Sequence, residues 1–173
     1  ESEMFDEMKE SAVAKGNFLM LFTDPVRFKK YLACILIGLP VWYCVGVLVK
    51  FSEQFAITNN VQGAVTTGFA IMFVYVGLSA GDLFSGLLSQ LLRSRKKVVL
   101  AYLLFTIAIS LIFLFTKDIS SEIFYLLCFL IGCGAGYWAL FVTMASESFG
   151  TNIRATATTT VPNFVRGAVI PIT

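Results

Sequence analysis

Long apolar runs alternate with short charged segments along most of the chain. The runs cover residues 31–49, 61–92, 98–116 and 123–145, and only the second contains an ionisable residue, Asp82. A helix needs ~20 residues to cross a hydrocarbon core of roughly 30 Å, and three of the runs are about this long. The second run is longer than the membrane is thick, so we expect its helix to tilt or to project into the cytoplasm. A further apolar run after Pro162 is too short to span. The pattern predicts an all-α membrane protein, a bundle of about five to six transmembrane helices with its last helix truncated.

The charged segments give the predicted helices a direction. Four basic residues follow the second run closely: Arg93, Arg95, Lys96 and Lys97. Short loops rich in Lys and Arg stay on the cytoplasmic side of a membrane. We therefore expect residues 1–26, 93–97 and 146–158 to be cytoplasmic, and residues 51–60 and 117–121 to face outwards.

The first spanning helix has a recognisable beginning. Asp24 precedes Pro25, and this pair is typical of an N-cap and first helical residue, because the carboxylate accepts from free NH groups and proline has none to lose. Pro40 is expected to kink this helix. Residues 1–24 are polar and net acidic, and their apolar clusters around Met4 and Phe18 predict short helices along a membrane face.

Composition agrees with a protein in lipid. Of the 173 residues, 57% are hydrophobic and 14% are charged, which leaves too little polar surface for a soluble globule. The net charge of +2 does not indicate a nucleic-acid partner. With no histidine in the sequence, any proton chemistry must use carboxylates. The four cysteines all fall in apolar runs without metal-ligand spacing, so we predict packing roles and neither a metal site nor a cofactor.

Small residues recur at helical spacing in two runs. Gly77, Gly81, Ser85 and Ser89 are four apart in one, and Gly132 and Gly136 repeat in another. Such stripes let two helix backbones approach closely in a membrane. Helix packing is the favoured interpretation.

A few ionisable residues suggest function. Asp82 lies about 15 Å along its helix from the basic residues, where a carboxylate must be paired, protonated or in contact with water. The alternative is a structural hydrogen-bond partner. Arg166 is either a substrate contact or a side chain that reaches the membrane surface. Glu147 and Arg154 flank a predicted break between helices, and the simpler reading makes them an exposed pair of little energetic value.

These features together resemble the second half of a major facilitator superfamily transporter. The relevant motifs are the Asp24-Pro25 start, the basic residues after the second run, and ESFGTNIRATATTTVPNFVRG, which resembles the sugar-porter and organic-ion or metabolite branch. Gln90 stands where that family usually has Asp. The resemblance implies that residues 1–24 end the linker between two halves and that residues 25–173 form the C-terminal bundle. It also implies a cytoplasmic gate made by Glu147, Arg154, Arg93, Arg95, Lys96 and Lys97.

The resemblance implies secondary active transport of a small solute by alternating access, coupled to protons, in a plasma or bacterial inner membrane. Asp82 is the proton-coupling candidate. The expected partners are the lipid bilayer, the solute and the missing N-terminal half. The alternative is a receptor or scaffold that retains the fold without transporting, and an enzyme is disfavoured because no nucleophile and base pair is visible. The substrate-cavity candidates are polar or aromatic residues of the spans: Trp42, Tyr43, Tyr75, Tyr137, Trp138, Asn163 and Arg166.

Overall fold

The computed structural model describes residues 18–172, without the side chain of residue 172. Over this range the chain forms helices and no strand. Residues 1–17 of the predicted linker, with the apolar cluster around Met4, lie outside the described residues. The helices are α1 (Met20–Thr23), α2 (Pro25–Tyr43), a π-helical segment (Cys44–Val49), α3 (Ser52–Thr58), α4 (Thr67–Leu91), α5 (Arg95–Phe115), α6 (Ser121–Ala135), α7 (Trp138–Glu147) and α8 (Thr151–Ile172).

Four helical runs are long and apolar enough to cross a membrane. They are Pro25–Val49, Thr67–Leu91, Arg95–Phe115 and Ser121–Glu147. The predicted all-α membrane bundle is therefore confirmed. Residues 93–97, which we call the basic turn, comprise the end of the turn before α5 and the first three residues of α5, and they lie at one end of this bundle. The loops of residues 59–66 and 116–120 meet at the other end.

Helix α2 begins where the sequence predicts. The Asp24 carboxylate accepts a hydrogen bond from the backbone NH of Val26 at 2.8 Å, and Pro25 is the first helical residue. Near the other end, the helix changes to π-helical geometry at Cys44, one turn after Pro40. Because proline cannot donate the usual backbone hydrogen bond, such a local change of helix geometry is expected beside it.

Helix α4 begins later than the hydrophobic run suggests. The run starts at residue 61, but residues 61–66 form a loop that pairs with the next outer loop: the Gln62 NH donates to the Ile119 carbonyl at 2.8 Å, and the Ser121 NH donates to the Gln62 carbonyl at 2.9 Å. The Thr66 NH donates to the Tyr125 hydroxyl at 2.9 Å. These bonds satisfy backbone groups that a longer helix would otherwise satisfy.

The two stripes of small residues pack α4 against α6. A Cβ atom on Gly77 would overlap the Phe129 carbonyl oxygen, and one on Gly132 would overlap the Val74 carbonyl oxygen. Further along, a Cβ on Gly136 would lie 2.5 Å from the Gly81 Cα. Only glycine allows backbones to come this close. The predicted packing role of the stripes is confirmed.

The fourth apolar run is not one continuous helix, which corrects the sequence prediction. α6 ends at Ala135, and α7 begins at Trp138 after a break at Gly136 and Tyr137. The Tyr137 side chain is fully buried, and its hydroxyl donates to the Ile37 carbonyl of α2 at 2.8 Å. The break is stabilised by contacts to other helices, which a pattern along one helix does not reveal.

The last helix is also longer than predicted. α8 starts at Thr151 and continues through Pro162, so its 22 residues span about 33 Å, enough to cross a membrane. It is not among the four most apolar runs, because it contains two arginines, two asparagines and several threonines. The hydroxyls of Thr158, Thr159 and Thr160 each donate to the carbonyl four residues earlier, which satisfies these donors within the helix.

Candidate functional site

Three candidate residues from three helices meet at one place. The guanidinium carbon of Arg166 on α8 lies 5.1 Å from the ring centroid of Trp42 on α2 and 5.7 Å from that of Trp138 on α7. The two indoles contact each other edge to face, with ring centroids 5.9 Å apart. The electron-rich faces of indole rings attract a cation. We call this group, Trp42, Trp138 and Arg166, the tryptophan–arginine cluster.

Close helix packing brings the cluster together. Gly38, one turn before Trp42, faces both neighbouring helices: a Cβ there would lie 2.7 Å from the Phe141 side chain and 2.8 Å from that of Val165. Any larger residue would therefore displace these side chains or push α2 away from α7 and α8. Gly38 lies one turn before Trp42, and Val165 lies immediately before Arg166. The close contact at Gly38 therefore also brings Trp42 and Arg166 together.

The other cavity candidates are dispersed. Asn163 is exposed on α8 beside a groove of about 520 Å³ that Phe164 and Gly167 also line. Tyr43 is exposed and lines a smaller groove with Pro40. Tyr75 is 49% exposed on α4, outside the tryptophan–arginine cluster, and Tyr137 is buried in the helix break.

Asp82 lies where the broken helix begins again. Its carboxylate oxygen Oδ1 accepts a hydrogen bond from the Ala139 backbone NH at 3.3 Å, and it also interacts with the Trp138 NH. These NH groups belong to the first turn of α7, which has no intrahelical acceptors for them. A carboxylate at this end of a helix is stabilised by the helix dipole. Asp82 on α4 thus caps α7, and Trp138 connects this cap to the tryptophan–arginine cluster.

A tyrosine that the sequence analysis did not select supports the same region. The Tyr102 hydroxyl of α5 donates to the Gly81 carbonyl at 3.1 Å, next to Asp82. The Tyr102 ring also packs edge to face against Tyr137, at 6.3 Å between centroids. The one available signal was a hydroxyl within an apolar run, which has to find a partner when buried.

The structure brings two of the predicted gate residues together. Arg95, the first residue of α5, forms an ion pair with Glu147, the last residue of α7. Arg95 places a positive charge at the amino end of α5, and Glu147 places a negative charge at the carboxyl end of α7, so each interacts unfavourably with its own helix dipole. Their pairing offsets both interactions. Their side chains are 40% and 57% exposed, which limits the value of the pair to about 1 kcal/mol or less.

Within the described residues the remaining gate candidates form no ion pair with Arg95 or Glu147, although Lys96 lines the same groove as both. The Arg154 Nε donates to the Phe149 carbonyl at 3.4 Å, within the turn between α7 and α8. Arg93, Lys96 and Lys97 are exposed in or beside the basic turn. Arg93 has a left-handed backbone, with φ of 47°, just after α4 ends. Its positive charge is favourable there, since the carboxyl end of a helix attracts cations.

A sequence profile of the Major Facilitator Superfamily matches residues 3–171. The chain belongs to the Major Facilitator Superfamily. No curated protein and no solved structure matches the chain. Membership of the Major Facilitator Superfamily makes this a multi-pass membrane protein of a family that moves small solutes across membranes, and not a member of an enzyme family.

Membership of the Major Facilitator Superfamily helps to interpret the polar residues that are exposed on the membrane helices. Trp42, Asn163 and Arg166 belong to α2 and α8, and the tryptophan–arginine cluster adds α7. Asn163 and Arg166 are exposed, although α8, on which both lie, packs against α2 and α7. Polar side chains at membrane depth face a water-filled cavity or another part of the protein.

Proposed function

We propose that this chain is one bundle of a secondary transporter that carries a small solute by alternating access. In this mechanism a solute site near the middle of the membrane opens to one side at a time, as one bundle rocks against another. The observation that carries the proposal is the tryptophan–arginine cluster beside a broken helix. The partner bundle is the N-terminal half implied by the resemblance, and it would face α2, α7 and α8.

The broken helix supports this proposal. Interrupted helices at membrane depth are tolerated where they line a cavity, and their free ends are common solute and ion sites in transporters. Here the break at Gly136 lies against Gly81, and the first turn of α7 contacts Asp82. Movement of α7 would therefore change the surroundings of Asp82 and of Trp138 together.

We further propose that Asp82 couples transport to protons. Its carboxylate is only partly buried, so a proton can reach it, and it contacts the backbone of α7. Protonation would remove the charge that interacts with the dipole of α7 and so weaken this contact. The competing account keeps Asp82 as a permanent cap of α7 with no part in coupling.

The proposed gate rests on the pair of Arg95 and Glu147. This pair links α5 to α7 at the end of the bundle that carries the basic turn. In our proposal it helps to close the cytoplasmic side and is broken when that side opens. Arg154 holds the turn at Phe149 in the present arrangement, and the exposed Lys96, which lines the same groove as Glu147, adds positive charge there.

The experiment that tests this function measures labelled solutes entering proteoliposomes that contain the full-length protein. Uptake is measured across a pH gradient, and exchange is measured at equal solute concentrations and equal pH. We expect Asp82→Asn to abolish pH-driven accumulation and to retain exchange, because exchange needs no net proton movement. Asp82→Asn keeps an oxygen that can accept from Ala139, so the cap is preserved while the charge is removed.

Each result has a definite meaning. Proton-driven accumulation that persists in folded Asp82→Asn protein would remove Asp82 from the coupling mechanism. A wild-type protein that moves no solute in either mode would contradict transport itself and favour the receptor or scaffold alternative. Matched amounts of monodisperse protein are compared, so that a loss of folded protein is not mistaken for a loss of coupling.

A further inference from the structure

Arg166 has no anionic partner among residues 18–172. Its guanidinium contacts the rings of Trp42 and Trp138, and within this range it forms neither an ion pair nor a hydrogen bond. Asp82, the carboxylate that interacts with the same helix α7, is occupied with the Ala139 NH. Indole rings stabilise the charge of the guanidinium but leave its NH donors without acceptors.

The depth of the cluster in the membrane makes the lack of an anionic partner for Arg166 energetically costly. Trp42 and Trp138 lie in the membrane spans Pro25–Val49 and Ser121–Glu147, each about 10 Å or more along its helix from the nearest end. Arg166 contacts both rings, so its charge lies at a similar depth. A charged side chain there normally has a partner or marks the path of a ligand. Arg166 is nevertheless exposed on the face that no described helix covers.

A second donor in the cluster also lacks an acceptor. The indole NH of Trp42 is buried, and no hydrogen-bond acceptor reaches it in the described part of the chain. Buried NH groups are nearly always hydrogen-bonded, so an orphaned one requires an explanation. Here two unsatisfied donors, one of them charged, belong to side chains in direct contact. What both lack is a hydrogen-bond acceptor, and an acceptor with negative charge would also balance the charge of Arg166.

We propose that the transported solute is an organic anion whose carboxylate or phosphate group binds to Arg166 beside Trp42. This inference rests on the proposed transport function and specifies its substrate class. A planar guanidinium binds either group through two parallel hydrogen bonds. The tryptophan rings hold the guanidinium in place before the anion arrives, and a turn of the Trp42 ring would bring its NH to the anion. The apolar part of the solute would lie along Phe164 and Gly167 in the neighbouring groove.

The negatively charged acceptor for Arg166 has a second possible source, which is the protein itself. A carboxylate side chain from outside residues 18–172 would also satisfy Arg166, in which case the solute need not be an anion. The two sources differ in one measurable respect, because only a free anion stabilises the protein by an amount that rises with its concentration. The test therefore compares each acid with a neutral compound of similar shape.

The experiment measures thermal unfolding of the purified full-length protein, and uptake into proteoliposomes, with solutes arranged in pairs. Examples of the pairs are benzoate and benzamide, succinate and succinamide, and glucose 6-phosphate and glucose. We expect stabilisation and uptake by anionic members only. Arg166→Gln should weaken the apparent affinity about tenfold to a hundredfold, the effect of losing hydrogen bonds to a charged group. Arg166→Lys should retain part of the affinity, because it keeps the charge and loses the paired geometry.

Two further variants separate the cluster from general effects. Trp42→Phe keeps an aromatic ring over the guanidinium but removes the NH, so it should weaken binding less than Arg166→Gln does. Lys117→Gln removes a positive charge from the outer loop and should leave anion binding unchanged. If Arg166→Gln does not fold, the comparison of Arg166→Lys with wild type still tests the prediction, since equal affinities would contradict it.

The possible results distinguish a failure of the proposed anion site from a failure of the proposed transport function. Uptake or stabilisation by the neutral members, unchanged in the Arg166 variants, would overturn the anion site and leave transport intact. Anions that bind through Arg166 but never enter the vesicles would contradict transport and leave the anion site intact. No stabilisation and no uptake by any member would contradict both.

Discussion

The contact between α4 and α6 makes a quantitative prediction. Gly77→Ala places a methyl group against the Phe129 carbonyl oxygen and within 3.0 Å of the Cys133 nitrogen. Both neighbours are backbone atoms of a helix, so they cannot turn aside as a side chain would. The helices must separate, and overpacking of this kind costs about 1 to 3 kcal/mol.

Gly86→Ala is the matched control, on the same helix. A Cβ at Gly86 has no neighbour within 4 Å, so this substitution changes only the helix propensity, by about 1 kcal/mol in favour of alanine. The same gain applies at Gly77, and it cancels when the two variants are compared. We therefore expect Gly77→Ala to be less stable than Gly86→Ala by the overpacking term alone, about 1 to 3 kcal/mol.

The assay is unfolding of the two purified full-length variants in detergent, followed by helical circular dichroism during titration with a denaturing detergent. Both variants are measured at the same protein concentration and in the same starting micelle. Equal stabilities would refute the close packing of α4 and α6 that the fold requires. A stability loss confined to Gly77→Ala would support it.

Three other expectations follow from the ends of the bundle. A single cysteine in place of Arg95 should react with an impermeant reagent only from the cytoplasmic side, and labelling from outside intact cells would overturn the predicted topology. Glu147→Gln should increase labelling of cysteines in the inward-facing cavity by up to about fivefold, which corresponds to the free energy of about 1 kcal/mol that an exposed ion pair contributes at most. Unchanged labelling would exclude Glu147 from the gate. Glu53 caps α4 by accepting from the Thr67 NH, which lowers the pKa of Glu53 below its ordinary value. This contact stabilises the protein at pH values above the ordinary pKa of glutamate, and the stabilisation is lost as the pH falls through the lowered pKa of Glu53. Wild type and Glu53→Gln should therefore differ in unfolding temperature at neutral pH and converge in acid. A difference that does not change with pH would contradict this.

Much of the fold follows from local patterns in the sequence. The Asp24 and Pro25 pair specifies the start of α2 through one hydrogen bond between near neighbours, and the small-residue stripes specify a face on each of two helices. These features depend on spacing along one helix, which a sequence displays directly. The apolar runs likewise predict the spans, because the membrane imposes their length.

The features that were not predicted depend on contacts between distant parts of the chain. α4 begins at Thr67 because Gln62 pairs with another loop. α7 is separate from α6 because Asp82 of α4 and the Ile37 carbonyl of α2 form hydrogen bonds with residues at the break. In the candidate site, the sequence identified Trp42, Trp138 and Arg166 one by one. Their meeting required three helices to pack, and no spacing along the chain encodes that.

Accessibility of one position from both sides of the membrane tests alternating access most directly. Asn163→Cys, in full-length protein without other reactive cysteines, is labelled with an impermeant reagent in vesicles of each orientation. Asn163 is exposed three residues before Arg166 on the same helix, so it reports on the proposed solute site. We predict labelling from both sides, with a bound solute raising the rate from one side while it lowers the rate from the other. Labelling from one side only, or rates from the two sides that rise and fall together, would contradict the account.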